Sequence, residues 1–222
     1  MALNKLKFNS INVTPSAGKV IQFDSGADGF ETASGGGSIK FIKKLTASSS
    51  GTLSFVHGSS DVVFDTTYNE YLFTFKDIHP GTNAGRLTFQ VDSSGNTNYN
   101  KNITSTSFKA YHQEDGNPAA LTYNADGDLA QGTGFQNLST DIISDNDASC
   151  NGYLHMFNPG VATFLKHFVA SVNGMTDGSP PYSEIRYTAG YVSETSAALD
   201  KIQFKMDSGN IDAGDICLYG IK

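Results

Sequence analysis

Tyr71-Leu72-Phe73-Thr74-Phe75, leading to Ile78-His79-Pro80-Gly81, is the stretch that decides the fold. Side chains of an extended chain alternate between two faces, so Tyr71, Phe73 and Phe75 share one face and Leu72 and Thr74 the other. Pro80 has no N–H to give to a sheet ladder, and Gly81 permits a turn, so the strand ends there. The next segment repeats the design. Leu87, Phe89 and Val91 alternate with polar residues up to the turn Asp92-Ser93-Ser94-Gly95-Asn96.

The same period extends in both directions. Ile39 and Phe41, Leu53 and Phe55, and Phe108, Ala110 and His112 mark further runs. Later, Leu154 and Met156 point one way while Tyr153, His155 and Phe157 point the other, and Asn158-Pro159-Gly160 turns the chain. Phe164 to Val172, Ile185 to Tyr191, Ile202 to Met206 and Ile216 to Ile221 complete the set. Short alternating runs separated by turn chemistry predict antiparallel strands with one wet face, and hence an all-β, jelly-roll-like antiparallel β-sandwich. Composition agrees, because Asp outnumbers Glu about three to one and the strong helix formers are scarce.

Two regions depart from the pattern. Residues 1–37 read as an N-terminal extended arm that ends in a flexible joint at Gly35-Gly36-Gly37, leaving 38–222 as the sandwich. Leu6, Phe8, Ile11 and Val13 alternate within the arm and are the candidate anchor residues. Asp115 to Asn151 is polar and rich in Gly, Asn and Asp, with Leu121, Tyr123, Phe135, Leu138 and Ile142 as scattered anchors. It reads as a functional loop or as a place where short strands escape detection.

The 222 residues carry a formal charge of −7 and only two arginines, Arg86 and Arg186, which leaves no basic face for nucleic acid or anionic membranes. No apolar run reaches membrane-spanning length, and Met1 to Phe8 lacks the apolar core of a signal peptide, so synthesis in the cytoplasm is expected. Cys150 and Cys217 do not make a disulfide framework; two free thiols are expected, with a single bridge as the alternative.

No G-x-S-x-G elbow and no H-E-x-x-H is present, and the five histidines lie far apart, although His155 and His167 could meet across neighbouring strands. Asp126 and Asp128 offer alternating oxygen ligands without the glutamate that closes an EF-hand loop; no metal and no cofactor are expected. The expectation is therefore a structural or binding protein, not an enzyme. Tyrosines near loops supply rigid contact area with a polar tip, so Tyr99, Tyr111 and Tyr123, with Tyr182 beside them, are candidates for sugar contact. His112 joins them, since Tyr111-His112 runs into Glu114-Asp115, the most reactive-looking cluster in the chain.

The Leu6-Lys7-Phe8-Asn9-Ser10-Ile11-Asn12-Val13 arm, Tyr71 to Pro80, and the closing Ser208-Gly209-Asn210-Ile211-Asp212-Ala213-Gly214 before Leu218-Tyr219-Gly220-Ile221 resemble the small structural proteins encoded among the tail and appendage genes of marine tailed bacteriophages. The resemblance implies a virion protein made in the host cytoplasm, in which the arm docks to other virion proteins and the sandwich faces outward. A tail fibre or appendage subunit contacting the host surface is its first implication, and a capsid decoration or head-fibre protein its second. A homo-oligomer, such as a trimer, and a host surface glycan are the partners it suggests. From the residues themselves, a carbohydrate-binding module or glycan hydrolase remains the reading from another class. Gly209 and Gly214 are expected to form the turn into the last strand.

Overall fold

A computed structural model describes residues 19–23, 26, 30–34 and 38–222. Two compact units divide the chain, Met1–Ser38 and Ile39–Lys222. In the first, β1 (Lys19–Phe23) and β2 (Phe30–Ser34) pair antiparallel. The described part of the arm is thus a hairpin, with Phe23 stacked on Phe30 at 5.0 Å, and not one extended run. Leu6, Phe8, Ile11 and Val13 lie outside the described residues.

The second unit is an antiparallel β-sandwich. Its strands in chain order are β3 (Ile39–Thr46), β4 (Leu53–Val56), β5 (Glu70–Pro80), β6 (Leu87–Ser93), β7 (Ile103–Gln113), β8 (Ala119–Tyr123), β9 (Gln136–Asn137), β10 (Cys150–Phe157), β11 (Lys166–Thr176), β12 (Tyr182–Val192), β13 (Leu199–Met206) and β14 (Ile211–Ile221). A large sheet has the order β3-β14-β5-β10-β11-β12-β7-β8, and a small sheet the order β4-β13-β6-β9. Pairing is nested: β3 with β14, β4 with β13, β5 with β10, β6 with β9. A rolled-up hairpin of this kind is a jelly roll. The hairpins β7–β8 and β11–β12 are additions, and both attach beyond β10, so the large sheet outgrows the small one.

The core lies where the sheets overlap. Phe204 of β13 is fully buried and meets Phe73 and Phe75 of β5 at 5.4 Å each, with Phe55 and Phe89 at 6.3 and 6.5 Å. Tyr71, Phe73 and Phe75 are buried as their alternation requires. β6 is buried on both faces, contrary to the expected wet face. Gln90 explains this: its Nε2 donates to the carbonyls of Lys101, Thr133 and Gly134, so a strap of chain covers the outer side of the strand.

The structure decides several readings of the sequence, some as expected and some not. Asp115–Asn151 contains β8, β9 and a single 3-10 turn (Ala125–Gly127). Leu138 and Ile142 are buried, but Leu121 and Tyr123 are exposed on the sheet surface and anchor nothing. β11 begins at Lys166, leaving Phe164 exposed. Gly214 sits inside β14 at a register shift, with φ +113° and a virtual Cβ 2.5 Å from the Asp77 carbonyl oxygen; only Gly209, at φ +72°, belongs to the turn before β14. Cys150 and Cys217 are both free, and burial pushes the Cys150 thiol up to about 12. His155 faces Glu70, with Nε2 2.8 Å from Oε2, while His167 packs on Tyr191, so each histidine is engaged elsewhere. Among the described residues no helix is long and apolar enough to cross a membrane.

Candidate binding cleft

Where β12, β7 and β8 run past the small sheet, their inward positions have no apolar layer to meet. Their sequence changes accordingly. Lys109 and Tyr111 of β7, Glu184 and Arg186 of β12 and Thr122 of β8 all face inward. The register sets Glu184 opposite Tyr111, Arg186 opposite Lys109, and Lys109 opposite Thr122. A cleft of about 350 Å3 opens here, lined by Lys109, Tyr111, Thr122, Thr176, Tyr182 and Glu184, with Asp141 and Asp177 closing one side.

Asp141 is carried by the strap that follows β9. Ile142 bridges both Gly85 and Thr176, which pins the strap between the sheets. Arg86 Nε donates to Asp141 Oδ1, and this bond holds the Arg86 guanidinium above its ordinary pKa. Asp177 takes a hydrogen bond from Asn83 Nδ2 at 3.1 Å and donates its own N–H to the Asp141 carbonyl. On the opposite side Lys109 Nζ donates to Glu184 Oε2 at 2.9 Å and lies 5.6 Å from the Tyr111 ring centre. Tyr111 and Tyr182 meet edge to face, 5.6 Å apart.

Behind Glu184 lies Arg186, 3% exposed, with Nη2 3.9 Å from Glu184 Oε1. Gly127 of the 3-10 turn closes over it: a Cβ there would come within 3.1 Å of Arg186 Nη1. Burial pushes the guanidinium below its usual pKa, against the pull of Glu184. Arg186 Nε and Nη1, Glu184 Oε1 and Asn124 Nδ2 are buried and hydrogen-bond to no protein atom. Such concentrated unmet capacity is uncommon in a native interior. The lining itself holds one cation, Lys109, and three carboxylates, Asp141, Asp177 and Glu184, with Arg86 and Arg186 paired to Asp141 and Glu184 from behind, so the cleft offers donors, acceptors and ring faces together.

The expected site residues distribute unevenly. Tyr111 is in the cleft. His112 points to the other face and lines an adjoining hollow that shares Tyr182. Tyr123 is on the outer surface, its hydroxyl donating to Asp128. Tyr99 lies at the β6–β7 connection, its N–H bonded to Asp92 Oδ2 and its hydroxyl, partly desolvated, beside Ser54; neither it nor Tyr123 belongs to the cleft. The Asp126 carbonyl accepts from Asn137, and Asp128 serves Tyr123. Among the described residues no group of three His, Cys, Asp or Glu is placed to hold a metal ion.

Lys109, Asp141, Glu184 and Arg186 were missed by sequence reasoning. A signal existed in Ser183-Glu184-Ile185-Arg186-Tyr187, where two opposite charges share one face of a strand whose other face is apolar. No protein-family model, curated protein or solved structure matches the chain.

Proposed function

We propose that this chain is a binding and display subunit, in which the sandwich recognises a neutral, hydroxylated ligand of saccharide type in the cleft between β7, β12 and the strap. The observation that carries this reading is the Lys109–Glu184 pair set beside the edge-to-face rings of Tyr111 and Tyr182. Sugar hydroxyls need donors and acceptors in close alternation, and sugar C–H faces pack on aromatic rings. Three carboxylates against one cation in the lining disfavour anionic ligands.

The wider setting, a phage tail fibre or appendage subunit, or alternatively a capsid decoration protein, rests on the sequence resemblance. The hairpin β1–β2 fits an anchoring role. A two-stranded hairpin is marginal by itself, and this one exposes Val20, Ile21, Phe23 and Phe30. Phe23→Ser with Phe30→Ser should leave the sandwich folded and reduce incorporation into particles; normal incorporation would reject the anchor.

A glycan array tests the cleft. Wild-type protein should bind neutral oligosaccharides, and Tyr182→Ala or Lys109→Met should weaken binding by about tenfold or more, equivalent to roughly 1.4 kcal/mol. Binding that survives both substitutions, or no binding by folded wild type, would reject the reading. One observation favours a second reading, glycan hydrolysis: three carboxylates share the cleft. Against it, Asp141 and Glu184 each have an oxygen occupied by a hydrogen bond from Arg86 or Lys109 rather than free to meet a substrate. Release of reducing ends, abolished by Asp141→Asn, would favour the hydrolase.

A further inference from the structure

Charge on the sheet extension is confined to the inward side. On β11, β12, β7 and β8 the inward positions carry the charges, including Lys109, Lys166, Glu184 and Arg186. Of the outward positions on these four strands, none is Asp, Glu, Lys or Arg, in a chain that has 15 basic and 22 acidic residues. Aromatic, aliphatic and uncharged polar side chains take their place, and neighbouring β10 adds Tyr153. Phe108 (45%), Leu121 (69%), Tyr123 (60%), Tyr153 (40%), Val169 (42%) and Tyr187 (38%) are all substantially exposed.

Register turns this inventory into a relief. Tyr153, Ser171, Tyr187, Phe108 and Tyr123 form one row across five adjacent strands, with Tyr187 and Phe108 stacked at 4.9 Å. The row two residues along is low, with Val169 opposite Ala189 and Ala189 opposite Thr106. Beyond it the surface rises again at His167 and Tyr191. The low row is a trough of about 330 Å3 lined by Thr104, Thr106, Val169 and Ala189, with His167 and Tyr191 along one side. Rows two residues apart are separated by roughly 7 Å, so ridge and trough have matching spacing.

We infer that this face is an interface between copies of the chain, the Tyr187–Phe108 ridge of one copy seated in the Val169–Ala189 trough of another about a two-fold axis. A ridge beside a trough is self-complementary, which is what an isologous contact requires. At roughly 150–250 Å2 per large side chain, the six exposures amount to about 500 Å2 of apolar surface, near the upper end of the largest patch on an ordinary monomer. A stable interface needs roughly 800 Å2 per partner, so about 300 Å2 falls to the uncharged polar positions of the same face, such as Thr104, Thr106, Ser171 and Asn173. Loss of charge with gain of aromatics is the composition of an interface core. Two copies at −7 each repel, and this is a face on which they meet without opposing like charges.

Sedimentation velocity of the full chain across micromolar concentrations tests the inference, with Tyr187→Lys and Ala189→Arg as variants. Both positions are at the surface, so the circular dichroism spectrum of each variant should keep its wild-type shape. Wild type should sediment as a dimer or a higher assembly built on it, and each variant should raise the dissociation constant by at least about thirtyfold, the effect of losing a hot spot. A monomeric wild type, or an oligomer indifferent to both variants, would overturn it. Saccharide binding at Tyr182 is read separately and is expected in either variant, so failure of one idea leaves the other testable.

Discussion

Arg186→Met is the substitution whose outcome follows most directly from the cleft geometry. The attraction between Arg186 Nη2 and Glu184 Oε1 at 3.9 Å is about 4 kcal/mol at an effective dielectric constant of about 20. Against it stand the desolvation of a guanidinium that is 3% exposed, several kcal/mol, and two buried donors without hydrogen bonds at about 1–3 kcal/mol each. The opposing contributions are at least as large as the attraction. A methionine fills most of the same volume without either penalty. Arg186→Met should therefore be neutral or stabilising by about 1–4 kcal/mol, whereas Glu184→Met, which strands Lys109 and Arg186, should cost about 3–5 kcal/mol. For a domain of this size the second change lowers the midpoint by roughly 2–4 °C per kcal/mol. Urea unfolding of the two variants measures the asymmetry. A loss above about 2 kcal/mol for Arg186→Met would show that the arginine is well satisfied in the native protein and would refute the reasoning.

Two further outcomes follow from the sandwich. Phe204→Ala removes the ring that joins both sheets and should cost about 3–5 kcal/mol in chemical unfolding, with Phe204→Leu losing much less; a cost under 1 kcal/mol would mean that the sheets do not interdigitate there. Glu194 is held down at about 2, first by the hydrogen bond from Lys101 and then by Ser196. Its native value is below its unfolded one, so its contribution, on the order of 2–3 kcal/mol, is present above about pH 4.5 and fades as the pH falls toward 2. The gap in stability between wild type and Glu194→Gln should close over that interval, and a gap independent of pH would contradict the pairing.

The sandwich was legible because its core strands follow the simplest rule: Tyr71, Phe73 and Phe75, or Leu87, Phe89 and Val91, put every apolar residue on one face. Strand order was not legible, since nothing local to Leu53 or Ile202 says that β4 and β13 pair across the length of the chain. The extension misled the reading for a definite reason. Phe108 and Ala110 mark a strand correctly, but alternation does not say which face is inside, and here the apolar one is outside while Lys109 and Tyr111 point in. Tyr111 entered the candidate site by residue type alone. Glu184 and Arg186 did not, because charges within an apolar run look like the solvent side of a strand. In Asp115–Asn151 the alternative of short undetected strands holds, and two-residue β9 is too short to show a period.

The occupant of the cleft decides what the chain does. Titration of a neutral oligosaccharide into isotopically labelled protein, followed residue by residue in NMR spectra, locates the contact without any mutation. Shifts concentrated at Lys109, Tyr111, Thr122, Thr176, Tyr182 and Glu184 are predicted. Shifts confined to Tyr187, Phe108 and Tyr123 on the opposite face, or an unperturbed spectrum at saturating saccharide, would contradict it.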